Sequence, residues 1–512
     1  MGMKKYAVVV FFCLVSVGLL AGRSSGGMVV PGGRGASFRI AAVPPVKDYP
    51  ASFFGIRSDG GTLYTRSIQF AIDYINQNGG GRLVFEVGRY LTGSIHLKSN
   101  VTLELKEGAV LVGSLNPFDY DKKMMTALIF AYDQHDVAIT GKGVIDGQGR
   151  ALATNVTELV HKGIVKDLFR NDRPEVEIRA MIMNFRNCKN VLIRGVTIRN
   201  AASWVQTYDQ CVNLRLDSIY VDSKAFWNND GIDIVDCDSV AVTNSYIDAA
   251  DDGVCLKSHD GTKFCNNILV RNNTIRSSAN AIKFGTASYG GFRNIRIINN
   301  KVFDTYRSAI ALEAVDGGFV ENVLVDSLQA FNTGNAVYLR VGERVAGKKG
   351  RLDNVRIMNL VVEIPAGKPD AGYEYEGPVE DMPRNISPMV ITGLPDAPVT
   401  NVTLENVEVR YPGGGSPMVA KIGLDELDKV PERPTAYPDF SMFKELPAWG
   451  AYIRHAQHVE FRNVTLSCEK KDYRTAVVLD DVHQSQFISS HIKEPGQKKA
   501  FYSYKSSDIT IR

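Results

Sequence analysis

The chain is 512 residues long, carries a formal charge of +3, and is 22% charged and 44% hydrophobic. With the two signs nearly balanced and no long run of either, nothing marks a nucleic-acid-binding surface. Length alone would allow about three domains, although an all-β solenoid can run this long as one unit. At the N-terminus, Lys4 and Lys5 precede an apolar run from Ala7 to Gly22. A charged segment followed by an apolar one is the pattern of a secretory signal, here residues 1–22, with cleavage near Ala21. The alternative is an uncleaved N-terminal anchor. No later apolar stretch reaches the roughly 18–20 residues needed to cross a bilayer. The expectation is an exported protein, periplasmic or extracellular, without a membrane span once the signal is removed.

Next in the chain, Ser67 to Asn76 places Ile68, Ala71, Ile72 and Ile75 on one helical face, and Gly79 to Gly81 stop the pattern. This predicts a short helix that caps the N-terminal end of a strand-rich domain.

Beyond this helix the chain repeats. Asn (Ser before Val240), a β-branched or leucine residue, then alternating apolar positions recur at Val191, Leu214, Val240, Ile268, Ile295, Val323 and Val355. The steps are 23, 26, 28, 27, 28 and 32 residues. Period-two alternation means strands, and a fixed period in the twenties means stacked coils. Propeller blades repeat at roughly 40–45 residues, so the spacing predicts an all-β, right-handed parallel β-helix. Asn stands before the apolar residue at 100, 190, 213, 267, 294, 322, 354 and 401. Asn tolerates left-handed geometry and can bond its stacked neighbour, so an asparagine ladder is expected. Cys188, Cys211, Cys237 and Cys265 recur within the same repeat and predict a column of buried thiols. Without CxxC pairs or a histidine cluster they do not read as metal ligands. The solenoid is expected over residues 40–512, with long loops inserted at about 364–450, where the spacing loosens and prolines accumulate.

Stacking the second strand of each coil puts acids in register. Asp230, Asp252, Asn280, Ser308 and Asn335 form one column on the outward face. Asp233, Cys255, Lys283, Ala311 and Tyr338 form a second, and Lys257, Glu313 and Arg340 a third. Adjacent coils lie about 4.8 Å apart, so Asp230 and Asp252 become near neighbours, with Asp251 at the bend beside them. Like charges that close raise at least one pKa. A hydrolase needs that split, with one carboxyl protonated while others stay ionised. A single Asp-Gly pair is more often turn chemistry; three acids on one face are not accounted for that way.

At these residues the chain resembles glycoside hydrolase family 28, the polygalacturonases and rhamnogalacturonan hydrolases, over roughly residues 50–410. Asn228-Asn229-Asp230-Gly231-Ile232-Asp233 is similar to the family's Asn-Thr-Asp-Gly-hydrophobic-Asp motif, with Asn229 in place of Thr. Asp251-Asp252-Gly253 matches its paired-Asp motif, and Lys257 a lysine seen in bacterial members. The resemblance implies a pectin-lyase-like right-handed β-helix and an inverting hydrolase. Asp251 would be the acid that protonates the leaving oxygen, and Asp230 and Asp252 the bases that activate water. No metal or other cofactor is expected. An inverting pair needs carboxyls roughly 6.5–9.5 Å apart to admit that water.

The departures concern substrate. Where polygalacturonases carry Gly-His-Gly the chain has Ala279-Asn280-Ala281, and where they carry Arg-Ile-Lys it has Ala311-Leu312-Glu313. Lys257, Asn280, Lys283, Glu313 and Arg340 are the candidate substrate-binding residues, and Trp204, Trp227 and Tyr338 candidate sugar platforms. With two cations of the family's carboxylate grip lost, the expectation is cleavage of α-galacturonosyl linkages in a rhamnogalacturonan-type or otherwise substituted pectin. The alternatives are an exo-polygalacturonase on homogalacturonan, a polysaccharide lyase, or a non-catalytic carbohydrate-binding solenoid. The expected partner is plant cell-wall polysaccharide, and the chain is expected to act as a monomer.

Overall fold

The structure is a computed structural model that describes residues 47–122, 125–167, 172–370, 372–374, 387–420, 422–496 and 499–512. The expected signal, residues 1–22, lies outside them. Among the described residues no helix is long and apolar enough to cross a membrane.

Strands dominate from Asp48 to Ile511, and each pairs in parallel with its counterparts in the coils before and after. The register follows the repeat: Val191 pairs with Leu214, Leu214 with Val240, Val240 with Ile268, and Ile268 with Ile295. The result is a right-handed parallel β-helix. Right-handed coiling is what parallel strands joined by a crossover adopt. The inward positions of successive coils are fully buried Val, Ile, Leu and Phe. Each such side chain contributes roughly 1.5–3 kcal/mol on burial, but only against a neighbouring coil, which is why no coil stands alone.

The asparagine ladder forms at the corners. Asn100, Asn190, Asn213, Asn267, Asn294, Asn322, Asn354 and Asn401 all adopt positive φ, between 53° and 63°. Side-chain amides link successive coils: Asn213 Nδ2 donates to Asn190 Oδ1 at 2.7 Å, and Asn354 Nδ2 to Asn322 Oδ1 at 2.7 Å. The four cysteines stack as expected, buried and unoxidised, with the Cys211 amide donating to Cys237 Sγ at 3.2 Å.

The capping helix, α1, spans Thr65–Gln77 and buries Ile68, Ala71, Ile72 and Ile75. A second helix that the repeat pattern did not predict, α2 (Gly149–His161), buries Leu152, Ala153, Val156 and Val160. It interrupts the strand run between Val144–Asp146 and Met181–Arg186, where alternation is lost.

One loop excursion shapes the functional face. Between the strands Val399–Gly413 and Ala448–Lys470 the chain turns back across the outer surface of the sheet. Leu427, Val430, Phe440, Met442, Phe443 and Leu446 pack there on Ala311, Tyr338, Val390, Tyr452 and Val478. Outward positions from Ala311 onward are therefore buried, although a bare solenoid would expose them.

Candidate active site

The site is built from strand order alone. Ile232 pairs with Val254, Val254 with Ile282, and Ile282 with Ile310, while Ser308 pairs with Asn335. That register stacks Asp230, Asp252, Asn280, Ser308 and Asn335. The column is hydrogen-bonded from Asp252 onward. Asn280 donates to Asp252 Oδ1 from its amide at 3.0 Å and from Nδ2 at 2.8 Å. Its Oδ1 accepts from the Ser308 amide at 3.2 Å, and Ser308 Oγ donates to Asn335 Oδ1 at 3.2 Å.

Asn229, just before Asp230, locks the approach to the first acid. Its Oδ1 accepts from Ser223 Oγ at 2.9 Å and the Ala225 amide at 3.0 Å, and its Nδ2 donates to the Ala201 and Ser203 carbonyls at 3.1 and 2.8 Å. A buried side-chain amide with every position used holds a loop firmly.

The second column, Asp233, Cys255, Lys283, Ala311 and Tyr338, is also in register. Two lysines lie among the acids. Lys257 Nζ sits 2.7 Å from Asp233 Oδ1, 3.0 Å from Asp230 Oδ2 and 3.0 Å from Cys255 Sγ. Lys283 Nζ sits 3.2 Å from Asp252 Oδ2 and donates to Tyr437 Oη at 3.1 Å. Oxygens of Asp230 and Asp252 and the Cys255 sulfur lie within 4.8 Å of one another, a spacing that could hold a metal ion. The Lys257 ammonium already contacts two of those three groups, so the charge a cation would bring is supplied by the chain itself.

These contacts divide the carboxyls. Asp252 is held down at about 2: burial alone would raise it, but Lys283, Lys257, Arg307 and the bonds from Asn280 win. Asp251 is pushed up to about 7, first by desolvation and then by the charges of Asp230 and Asp252. It is less buried than Asp230 or Asp252, and its Oδ1 accepts from the Asp252 amide at 3.0 Å. Asp230 is also raised to about 7, by burial against the opposing pull of Lys257, and Asp233 to about 6 for the same reasons. The cluster thus offers a protonated carboxyl and a firmly ionised one on one bend, the split that acid–base chemistry requires.

Of the predicted binding residues, Lys257, Asn280 and Lys283 lie against these acids. Arg340 does not face an open groove. Its guanidinium donates to the Glu432 carbonyl at 2.6 Å and the Gly393 carbonyl at 3.3 Å, and lies over the Phe443 ring. It anchors the loop excursion. Tyr338, expected as a sugar platform, is buried under that loop with its hydroxyl 2.8 Å from Met442 Sδ. Glu313 is buried, and its Oε2 has no hydrogen-bond partner among the described residues. Trp204 lies at the site, its ring 4.7 Å from Lys257 Nζ. Trp227 packs against the core with the Arg173 guanidinium over its ring.

Three residues at the site escaped the sequence reading. Arg307 directly precedes Ser308 of the acid column, and its Nε pairs with Asp439 Oδ2 at 3.0 Å; reading one position earlier in each coil would have found it. Tyr437 and Asp439 arrive on the loop excursion, and no periodicity places them.

Residues 84–310 match the model of glycosyl hydrolases family 28. A solved structure from Parabacteroides merdae, described as a candidate glycosyl hydrolase, is 40% identical with a TM-score of 0.40, covering 44% of this chain and 97% of that one. Residues 84–310 thus belong to glycosyl hydrolase family 28. An exopolygalacturonase structure from Thermotoga maritima is 22% identical with a TM-score of 0.60 and covers 82% of this chain and 92% of that one; it shares the fold. An exo-poly-α-D-galacturonosidase from Dickeya chrysanthemi is 25% identical over 316 residues, 52% of this chain and 52% of that protein. The chain thus spans about half the length of that relative. The proteins it matches include exopolygalacturonases.

Proposed function

We propose that the protein is an inverting hydrolase of α-galacturonosyl linkages that works from the end of a pectic chain. The observation that carries the chemistry is the opposite polarisation of Asp251 and Asp252, raised to about 7 and lowered to about 2 on one bend. In this reading Asp251 gives its proton to the glycosidic oxygen as the bond to the anomeric carbon breaks. Water attacks that carbon from the opposite face, and its proton passes to Asp252 or Asp230. General acid–base assistance of this kind is worth roughly 10²–10⁴-fold. Lys257 and Lys283 hold the two bases in place and balance their charge, and Trp204 offers the sugar a flat face beside Lys257.

Action from a chain end is supported by the loop excursion. It lies on the outer sheet from Ala311 onward and is tied to the site by Tyr437 on Lys283 and Asp439 on Arg307. A groove filled on one side admits an end more readily than the middle of a polymer. Sequence similarity to the exo-poly-α-D-galacturonosidase of Dickeya chrysanthemi supports the same mode. Product analysis tests it: short saturated products should appear from the start of digestion while the viscosity of the polymer falls slowly.

A second reading concerns the sugar on the filled side. Lys283 and Arg340 are engaged by acids or by the loop, and Glu313 stands where the family places a cation. That arrangement favours an uncharged group there, as in a rhamnogalacturonan-type linkage. Comparing rates on polygalacturonic acid and on debranched rhamnogalacturonan separates the two substrates.

A further inference from the structure

His455 takes no part in the chemistry proposed above, yet it joins the loop excursion to the solenoid. It stands at a corner of the strand Ala448–Lys470 with φ 49°, over Asp481, whose φ is 58° at the same corner of the next coil. Its Nδ1 lies 2.6 Å from Asp481 Oδ2, and its Nε2 lies 3.0 Å from Oε1 of Glu432, a residue of the loop. An ionised carboxylate only accepts. Both ring nitrogens must therefore carry a proton for both contacts to be hydrogen bonds, and that species is the imidazolium. A neutral ring leaves one lone pair facing a carboxylate oxygen.

The other charges around this corner do not change near neutral pH or touch only one side. Arg454 Nη2 lies 2.6 Å from Glu432 Oε1, its Nε 3.1 Å from Asp480 Oδ2, and its Nη1 donates to the Val430 carbonyl at 2.7 Å. Arg340, on an earlier coil, donates to the Glu432 carbonyl at 2.6 Å, and Asp428, earlier in the loop, pairs with Lys505 at 2.6 Å. His483 meets the other Asp481 oxygen at 2.9 Å through Nε2 and Ser507 Oγ at 2.9 Å through Nδ1. Only at His455, among the described residues, does one proton decide whether loop and solenoid are both held. Burial alone would lower His455, and the bonds to Glu432 and Asp481 outweigh it, so the ring is raised above its ordinary 6.5.

Tyr437 and Asp439 follow Glu432 in the same loop and reach Lys283 at 3.1 Å and Arg307 at 3.0 Å. Building on the active-site reading, we propose that His455 is a positioning residue for the reaction: its imidazolium ties Glu432 to Asp481 and so seats Tyr437 and Asp439 against Lys283 and Arg307 beside the acids. The apolar side of the loop, Phe440, Phe443 and Leu446, stays packed on the sheet whatever the charge of the ring. Loss of the proton therefore loosens the polar end of the loop without releasing the whole. The sign follows from the raised value: the tie is complete below about pH 6.5 and is lost as pH rises past the folded value.

Two measurements on the full chain test this, each comparing wild type with His455→Asn. Asparagine tolerates the left-handed backbone and carries no charge. Hydrogen exchange of the loop amides from Leu427 to Leu446, corrected for the intrinsic rate, should show wild-type protection falling about tenfold between about pH 5.5 and about pH 9. The variant should sit at the lower protection at both. The ratio of wild-type to variant kcat/KM on trigalacturonate should fall from about fivefold at about pH 5.5 to about one at about pH 9. Titration of Asp251 cancels in that ratio, and a merely structural histidine would give the same ratio at every pH. Melting curves confirm folding; should His455→Asn not fold, Glu432→Gln, which removes the charge on the loop, should likewise abolish the pH dependence of loop protection. Wild-type protection that did not change with pH, or a kcat/KM ratio constant with pH, would overturn the inference. The exchange measurement needs no substrate, so if trigalacturonate were not hydrolysed the active-site reading would fall while the exchange result still decided the tie.

Discussion

The ammonium of Lys283 lies 3.2 Å from Oδ2 of Asp252, two buried charges brought together by strands of successive coils. Neither side chain finds this partner through local sequence; the stacking register supplies it. Removing one member of a buried pair leaves the other uncompensated and costs roughly 3–5 kcal/mol. Lys283→Met should therefore lower the free energy of unfolding by about that amount, read by chemical denaturation, and should also lift Asp252 out of its depressed range.

The proposed proton donor sets the alkaline side of activity. Asp251 is raised to about 7, so its proton is present below that pH and lost as pH rises through it. Asp252, at about 2, remains ionised across the whole working range. The rate constant kcat should fall above about pH 7, and Asp251→Asn should lower it by about 10²–10⁴-fold while leaving the thermal melt near that of wild type. A pH–rate profile paired with the variant's melting curve checks both.

Lys257 keeps Asp230 and Asp233 from rising further. In Lys257→Met both acids lose their cation, and their pKa values move up. A base that must be ionised then becomes available only at higher pH, so the acidic limb of kcat/KM should shift upward by about one unit or more. The shift separates a charge effect from a packing effect, which would lower activity at every pH alike.

Glu313 also predicts a pH dependence of stability. Its folded value, about 8, lies above its ordinary value of 4.5. Whatever stability this acid contributes is complete below about pH 4.5 and is lost as pH rises towards 8. Glu313→Gln should flatten the decline of melting temperature over that window, and Glu313→Leu should raise the melting temperature at about pH 8, because an unpaired buried polar atom is removed.

The coils were legible because a parallel β-helix writes its geometry into sequence at a fixed spacing. Alternating apolar residues marked the strands, and positive-φ asparagines such as Asn213 and Asn354 marked the corners. The acid columns came from the same register. The repeat could not reveal the loop excursion, since Tyr437 and Asp439 reach the site from far along the chain and obey no period. For that reason Arg340 and Tyr338 looked available for substrate, although the loop buries both. Helix α2 was missed for a related reason: it sits inside one coil as an insertion, and its pattern occurs only once.

The measurement that tests the central claim most directly is proton NMR of the protein acting on polygalacturonic acid and on debranched rhamnogalacturonan, with a chelator present and viscosity followed in parallel. The expected result is saturated products from at least one polymer, released first as the β-anomer, with little early loss of viscosity. Unsaturated products, retained α-anomer, or a rapid collapse of viscosity would contradict it.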